Sequence, residues 1–143
     1  MKMNSPEIIY TNDKKLLDHI LATDFFVGWP KPPSEQTLKK ILQNSQHIYL
    51  AVENEKLVGF INAISDQILS AYIPLLEVLP EYQGKGIGQM LVAKIREDLS
   101  GYYMIDICCD DDVVLFYEAA GFRKGNSMIL RNYKNQSGLL SSV

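Results

Sequence analysis

One α/β domain spanning residues 1–143, with strands and helices mixed around a single sheet, is the fold this sequence predicts. Two observations predict it. Apolar runs of strand length, rich in β-branched and aromatic residues, alternate with segments whose apolar residues recur every three or four positions. One junction between the two kinds is unusually explicit: Leu76-Glu77-Val78-Leu79 ends at Pro80, and glycines at 84, 86 and 88 lead directly into an amphipathic helix. No repeat or linker divides the chain, and 143 residues suffice for one sizeable core.

The elements follow in order. Ile8-Ile9-Tyr10 is a short first strand. Asn12 or Asp13 caps a helix carrying Leu16, Leu17, Ile20 and Leu21 on one face. Phe25 to Pro33 is an aromatic loop broken by prolines. Ser34 with Thr37 opens a second helix through Leu38, Ile41 and Leu42. Ile48–Val52 and Leu57–Ile64 are strands joined by the polar turn Glu53-Asn54-Glu55-Lys56, and Ser70 to Val78 is the next strand. Ile87, Leu91, Ile95 and Leu99 mark one face of the helix after the glycine loop. Tyr103–Cys109 is a strand, Asp112–Ala120 a helix ended by Gly121, Ser127–Tyr133 a final strand, and residues 134–143 a loose tail.

Composition narrows the function. A formal net charge of -3 argues against nonspecific nucleic-acid binding, which requires a basic face. No apolar run has the ~20 residues of a membrane span, and the first residues lack an apolar signal core. Cys108 and Cys109 are adjacent in a strand, so their side chains diverge and a disulfide between them is not expected. With only His19 and His47 elsewhere they make no metal site. Buried or half-buried reduced thiols in a cytoplasmic protein are the expectation.

The glycine loop carries the chemistry. The first N–H groups of a helix have no intrahelical partners and carry a partial positive charge, and glycines let an anion approach them. The loop is therefore a cradle for a phosphate or pyrophosphate. It is not a phosphate-loop NTPase signature, because Gly88 is followed by Gln89 with no Lys-Ser/Thr pair. It is not a dinucleotide fingerprint either, since the third glycine comes one residue early. The remaining pattern, Gln83-x-x-Gly86-x-Gly88, together with Phe116-Tyr117-Glu118-Ala119-Ala120-Gly121-Phe122, resembles the GNAT superfamily of acyl-CoA-dependent N-acyltransferases. The resemblance spans roughly Val52 to Ile129.

That resemblance implies a mixed sheet whose fourth and fifth strands run parallel and splay apart. The pantetheine arm of acetyl-CoA lies in the gap against the backbone of Leu76 and Val78. The N–H groups of Gln83, Gly84, Lys85, Gly86, Ile87, Gly88 and Gln89 hold the pyrophosphate, and Asp110 and Phe116 lie beside the cofactor. Asp110 stands where many members carry asparagine. The reaction implied is acetyl transfer to a primary amine by direct attack in a ternary complex. Leu76 N–H serves as oxyanion donor and Tyr117 as the acid for the leaving sulfur, its ordinary pKa near 10 being close to a thiol's. The base candidates are Glu77, ranked first, Asp66, and Asp110 acting through a water, with a solvated or structural glutamate the competing reading for Glu77; Tyr72, at a usual base position, is no carboxylate. Phe25, Phe26 and Trp29 line the acceptor site, with core packing the competing reading. A CoA-binding regulatory protein and a peptide N-terminal acetyltransferase are the alternatives. Assembly is left open, a homodimer included.

Overall fold

The computed structural model describes residues 7–20 and 24–139. Its centre is a six-stranded sheet of β1 (Ile9–Thr11), β2 (His47–Glu53), β3 (Lys56–Ser65), β4 (Ser70–Ile73), β5 (Leu76–Val78) and β6 (Met104–Ile107). Three helices accompany it: α1 (Glu35–Gln43), α2 (Ile87–Asp98) and α3 (Val114–Ala119). The strands β1, β2, β3 and β4 are antiparallel neighbours, and β6 joins β4 in parallel. β5 pairs with β3 alone, outside that path.

Each face of the sheet has its own cover. Gly59 of β3 lies beneath α2; a Cβ there would meet the Ile87 and Leu91 side chains at 3.3 Å and the Glu77 carbonyl at 3.1 Å. Only a glycine admits the helix this closely. Ile87, Leu91, Val92 and Ile95 are buried along α2, as their spacing predicts. On the other face Phe60 receives the rings of Phe25 and Phe26, with centroids 5.1 and 6.2 Å away. α1 starts at Ser34, whose hydroxyl accepts from Thr37 N–H, and buries Leu38 and Leu42.

Four expectations are corrected. The first helix is a five-residue 3-10 turn, Lys14–Asp18, capped by Asp13 accepting from Lys15 N–H; Leu17 and Ile20 are buried, and Leu21 lies outside the described residues. Asp24 and Phe26 at positive φ and Pro30 soon after explain why no longer helix continues into this segment. The strand expected over Ser70–Val78 breaks at Pro74 and Leu75 into β4 and β5. Ser127–Tyr133 enters no ladder: residues 127–132 form neither helix nor strand, Tyr133 opens a 3-10 turn, and the segment is exposed, because a strand needs a neighbour and none lies along it among the described residues. The tail is tied down as far as Gln136, whose side-chain oxygen accepts from Lys31 N–H at 2.8 Å; residues 140–143 lie outside the described residues.

The strand break has a specific cause. Asn62 is fully buried in β3 and its side-chain amide donates to the Ser45 hydroxyl at 3.0 Å. Its side-chain oxygen accepts from Leu75 N–H at 3.1 Å, while its own N–H donates to the Leu75 carbonyl at 3.2 Å. Leu75 is thus clamped by one residue at both of its backbone groups. The chain steps out of line there, and β5 leaves the direction of β4.

Candidate active site

The step at Leu75 opens the site. β4 and β6 stay paired from Ser70↔Met104 to Ile73↔Ile107, where β6 ends, while the chain beyond β4 continues as β5 along β3. Leu79 N–H donates to the Val58 carbonyl and Leu75 C=O accepts from Asn62, so the odd-numbered backbone groups of this stretch face β3. Strand alternation turns those of Leu76 and Val78 the other way, into the gap. The Val78 carbonyl confirms the direction by accepting from the Gln83 side chain at 3.1 Å. That bond also revises Gln83, whose amide ties the glycine loop back onto β5.

The gap runs into the N-terminus of α2. Gly86 is its N-cap, in the left-handed region at φ 83, and no side chain caps it. Gly84 has φ 78; a Cβ there would meet nothing within 4 Å, and one at Gly86 would meet only the Gln89 side-chain oxygen at 3.9 Å. The first helical bond is Met90 N–H to Gly86 C=O, so the N–H groups of Ile87, Gly88 and Gln89 point out of a helix end with clear space above it. Ile87 offers only its backbone, since its side chain is buried under the sheet. Gly88 faces the Phe116 ring, 3.5 Å from where its Cβ would stand. Lys85 projects over the Tyr82 ring, 5.1 Å from its centroid, beside a hollow of about 570 Å³ that Lys56 and Glu81 also border. An open, uncapped helix end next to free strand backbone fits a pyrophosphate on an extended arm, the chemistry of CoA.

Glu77 and Tyr117 meet at the same gap. Glu77 is paired in register with Phe60 and shares its face of the sheet, away from α2. Burial pushes its carboxyl up to about 7. Tyr117 is buried and flanked by Phe116 and Phe122, with ring centroids 4.9 and 5.8 Å away in edge-on geometry. Gly121 at φ 99 turns the chain so that Phe122 N–H reaches the Tyr117 carbonyl at 3.0 Å, which is how the late motif locks its tyrosine. Burial, then the Cys109 thiol, then the Glu77 carboxyl raise the Tyr117 hydroxyl to about 12. The close match to a thiol expected from the free side chain is therefore lost, and Tyr117 stays protonated across the neutral range.

The other expected residues fall elsewhere. Asp66 is fully exposed in the β3–β4 turn, where one carboxylate oxygen accepts from the N–H groups of Ile68, Leu69 and Ser70. Those bonds hold it down at about 2, so it is a turn residue and not a base. Asp110 is exposed just before the 3-10 turn Asp111–Val113 that leads into α3. Phe25 and Phe26 are core residues, 9 % and 4 % exposed, and do not line an open pocket. Trp29 is partly exposed and packs on Phe26 with centroids 4.8 Å apart. Cys108 is half-buried, but Cys109 is exposed, contrary to expectation, because β6 has ended by that point. Asn62, Gly59 and Cys109 were missed as site-shaping residues. A polar residue inside the apolar run Leu57–Ile64 was the only sequence signal for Asn62.

Comparison with known proteins bears on the family and the fold. Residues 15–122 match the Acetyltransferase (GNAT) family. The chain is 35% identical over 104 residues to a protein of Pyropia yezoensis named uncharacterized N-acetyltransferase ycf52, covering 68% of this chain and 59% of that one. It is 32% identical over 117 residues to GCN5-related N-acetyltransferase 3, chloroplastic, of Arabidopsis thaliana, covering 80% of this chain and 47% of that one. It therefore spans about half to three fifths of the length of these relatives. A crystal structure of a protein from Deinococcus radiodurans described as a putative acetyltransferase superposes with a TM-score of 0.85 at 38% identity, over 99% of this chain and 100% of that one.

The chain belongs to the GNAT family of acetyltransferases, whose members transfer acyl groups, generally from acetyl-CoA. No helix among the described residues is long and apolar enough to cross a membrane, and no three His, Cys, Asp or Glu among them gather as metal ligands.

Proposed function

We propose that this chain transfers an acetyl group from acetyl-CoA to a small primary amine by direct attack, with both substrates bound at once. The observation that carries the reading is the gap itself: free β5 backbone leads to an uncapped helix N-terminus, with Glu77 and Tyr117 beside it. In this reading the N–H groups of Gly86 to Gln89 hold the pyrophosphate, and the Leu76 backbone with the Val78 N–H aligns the pantetheine arm as an added strand would. Leu76 N–H donates to the thioester oxygen as it gains charge. Glu77, with its carboxyl near 7, removes the proton from the attacking ammonium, and Tyr117 gives its hydroxyl proton to the sulfur as the C–S bond breaks.

The acceptor approaches on the Phe60 face, which Glu77 shares, and Trp29 at the edge of the Phe25–Phe26–Phe60 cluster offers it an aromatic surface. An amine with an apolar body suits that combination better than a carboxylate-rich peptide, which Glu77 would repel. Thiol release from acetyl-CoA, measured over a panel of alkyl and aryl amines and acidic peptides, tests the proposal. Turnover with simple amines supports it. Tight CoA binding with no thiol release on any acceptor would make the chain a binding protein, and preference for acidic peptides would reverse the charge argument.

A further inference from the structure

Two buried polar side chains stand behind the strand break, and only one of them touches it. Asn62 is fully buried and Ser45 is 2 % exposed. Ser45 lies in the connection between α1 and β2 and meets Asn62 on the face of the sheet that Asn62 shares with Phe60.

An amide side chain fits its space almost equally well either way round, because its oxygen and nitrogen ends have nearly the same shape. What Asn62 does for Leu75 depends on which end faces it. With the oxygen toward Leu75, the side chain accepts from that N–H. Turned over, it would set an NH₂ group against an N–H, donor against donor.

The Ser45 hydroxyl decides between the two. Its oxygen lies 2.7 Å from the Ile41 carbonyl and 3.0 Å from the Asn62 side-chain nitrogen. The Ile41 carbonyl belongs to the last turn of α1, and the N–H that would ordinarily close onto it, that of Ser45, bonds Leu42 instead. A carbonyl only accepts, so it takes the single hydroxyl proton. Ser45 is left with lone pairs to offer Asn62, which answers with its NH₂ and keeps its oxygen for Leu75. The result is a one-way chain: Leu75 N–H to Asn62 Oδ1 at 3.1 Å, Asn62 Nδ2 to Ser45 Oγ, and Ser45 Oγ to the Ile41 carbonyl. Both ends are backbone groups of fixed polarity, so the direction is set, and bonds in such a series strengthen one another. Lys14 donates to the carbonyls of Gln43 and Ser45 and holds the turn that carries the hydroxyl.

We infer that Ser45 is a positioning residue for the acetyl-CoA gap: by setting which way round Asn62 stands, it makes the placement of α1 a condition of the step from β4 to β5. The inference rests on reading that gap as the acetyl-CoA site. Leu76, next along from the clamped Leu75, carries the N–H aimed at the thioester, so its aim depends on the same chain.

Nuclear magnetic resonance of the full wild-type chain reads the bonds directly. A scalar coupling across the hydrogen bond, from the Leu75 amide nitrogen to the Asn62 side-chain carbonyl carbon, is expected; Asn62 NH₂ protons packed against the Leu75 N–H, with no such coupling, overturn the inference. In Ser45→Ala, amide exchange at Leu75 should quicken about tenfold more than in the β2–β3 ladder, which reports any loss of stability throughout. By titration calorimetry the acetyl-CoA dissociation constant of Ser45→Ala should rise about tenfold. Adding Ser45→Ala to Asn62→Leu should raise it no further, because no amide remains to be oriented, whereas a residue that only filled space would add its own effect. Equal quickening at both places, an unchanged dissociation constant in Ser45→Ala, or additive effects in the double variant overturns the inference. A wild-type chain that shows the coupling but binds no acetyl-CoA overturns the reading of the gap, and Ser45's place in it, while leaving the chain of bonds intact.

Discussion

Glu77 is the residue on which the chemistry turns, and its carboxyl can be tested by two independent readouts. An ordinary glutamate titrates near 4.5, but this one titrates at about 7 because it is more than half buried. As a base it must lose its proton, so kcat/KM should rise with pH through about 7 and level above it. Glu77→Gln should lower kcat/KM about 10²–10⁴-fold and remove that rise. The sign for stability is the opposite. Between 4.5 and about 7 the folded state keeps a proton that the unfolded chain has released, so this carboxyl lowers stability as pH rises through that window. Glu77→Gln should accordingly gain on the wild type in Tm between pH 5 and pH 8, by scanning calorimetry. A flat pH–rate profile in the wild type would remove Glu77 as base whatever the variant does. Tyr117→Phe is the companion test. It removes a hydroxyl that titrates at about 12 and leaves the ring between Phe116 and Phe122, so acetyl-CoA binding should survive while the single-turnover rate falls. Unchanged single-turnover rates would end the leaving-group role.

Between elements, two junctions do the positioning. The first is the loop into α2. Gly86→Val places a β-branched residue at φ 83, which adds backbone strain of roughly 1–2 kcal/mol, and sets its methyls over the uncapped N–H groups. Titration calorimetry should find acetyl-CoA binding abolished in a protein that still unfolds cooperatively. The second junction is the clamp at Leu75. Asn62→Leu keeps the branched shape and the number of side-chain heavy atoms but orphans the Leu75 N–H, at a cost of about 1–3 kcal/mol in urea denaturation. It also frees β5 to continue straight from β4, so KM for acetyl-CoA should rise. A stable Asn62→Leu variant with normal KM would show that the splay does not depend on the clamp.

At the scale of the whole molecule, two layers of apolar packing meet the sheet, and the aromatic cluster on the Phe60 face ties the loop after the first 3-10 turn to it. Phe26→Ala removes a core ring and should destabilise the chain by about 3–5 kcal/mol. Trp29, exposed over Phe26, belongs to the edge of that cluster; Trp29→Ala should leave stability within about 1–2 kcal/mol of wild type and raise KM for the amine, not for acetyl-CoA. Were stability to collapse with no selective change in KM, Trp29 would be core and the acceptor surface would lie elsewhere.

Much of this molecule is written locally. The α/β class, the glycine loop and its helix, the strands of the β2–β3 hairpin and the helix containing Tyr117 follow from periodicity, caps and glycine placement, which act over a few residues. Spacing alone also separated the loop from other phosphate-binding loops. What the chain could not state locally is whatever depends on residues far apart. Asn62 breaks the strand at Leu75, thirteen positions on, and only the assembled sheet shows it. Burial against Phe60 removed Phe25 and Phe26 from the acceptor site, and three turn N–H groups removed Asp66 from the bases. The raised carboxyl of Glu77 and hydroxyl of Tyr117 arise from desolvation, a property of surroundings gathered from separate segments. Ser127–Tyr133 has strand composition, yet a strand is a relation between two segments, and among the described residues the tertiary structure supplies it no neighbour.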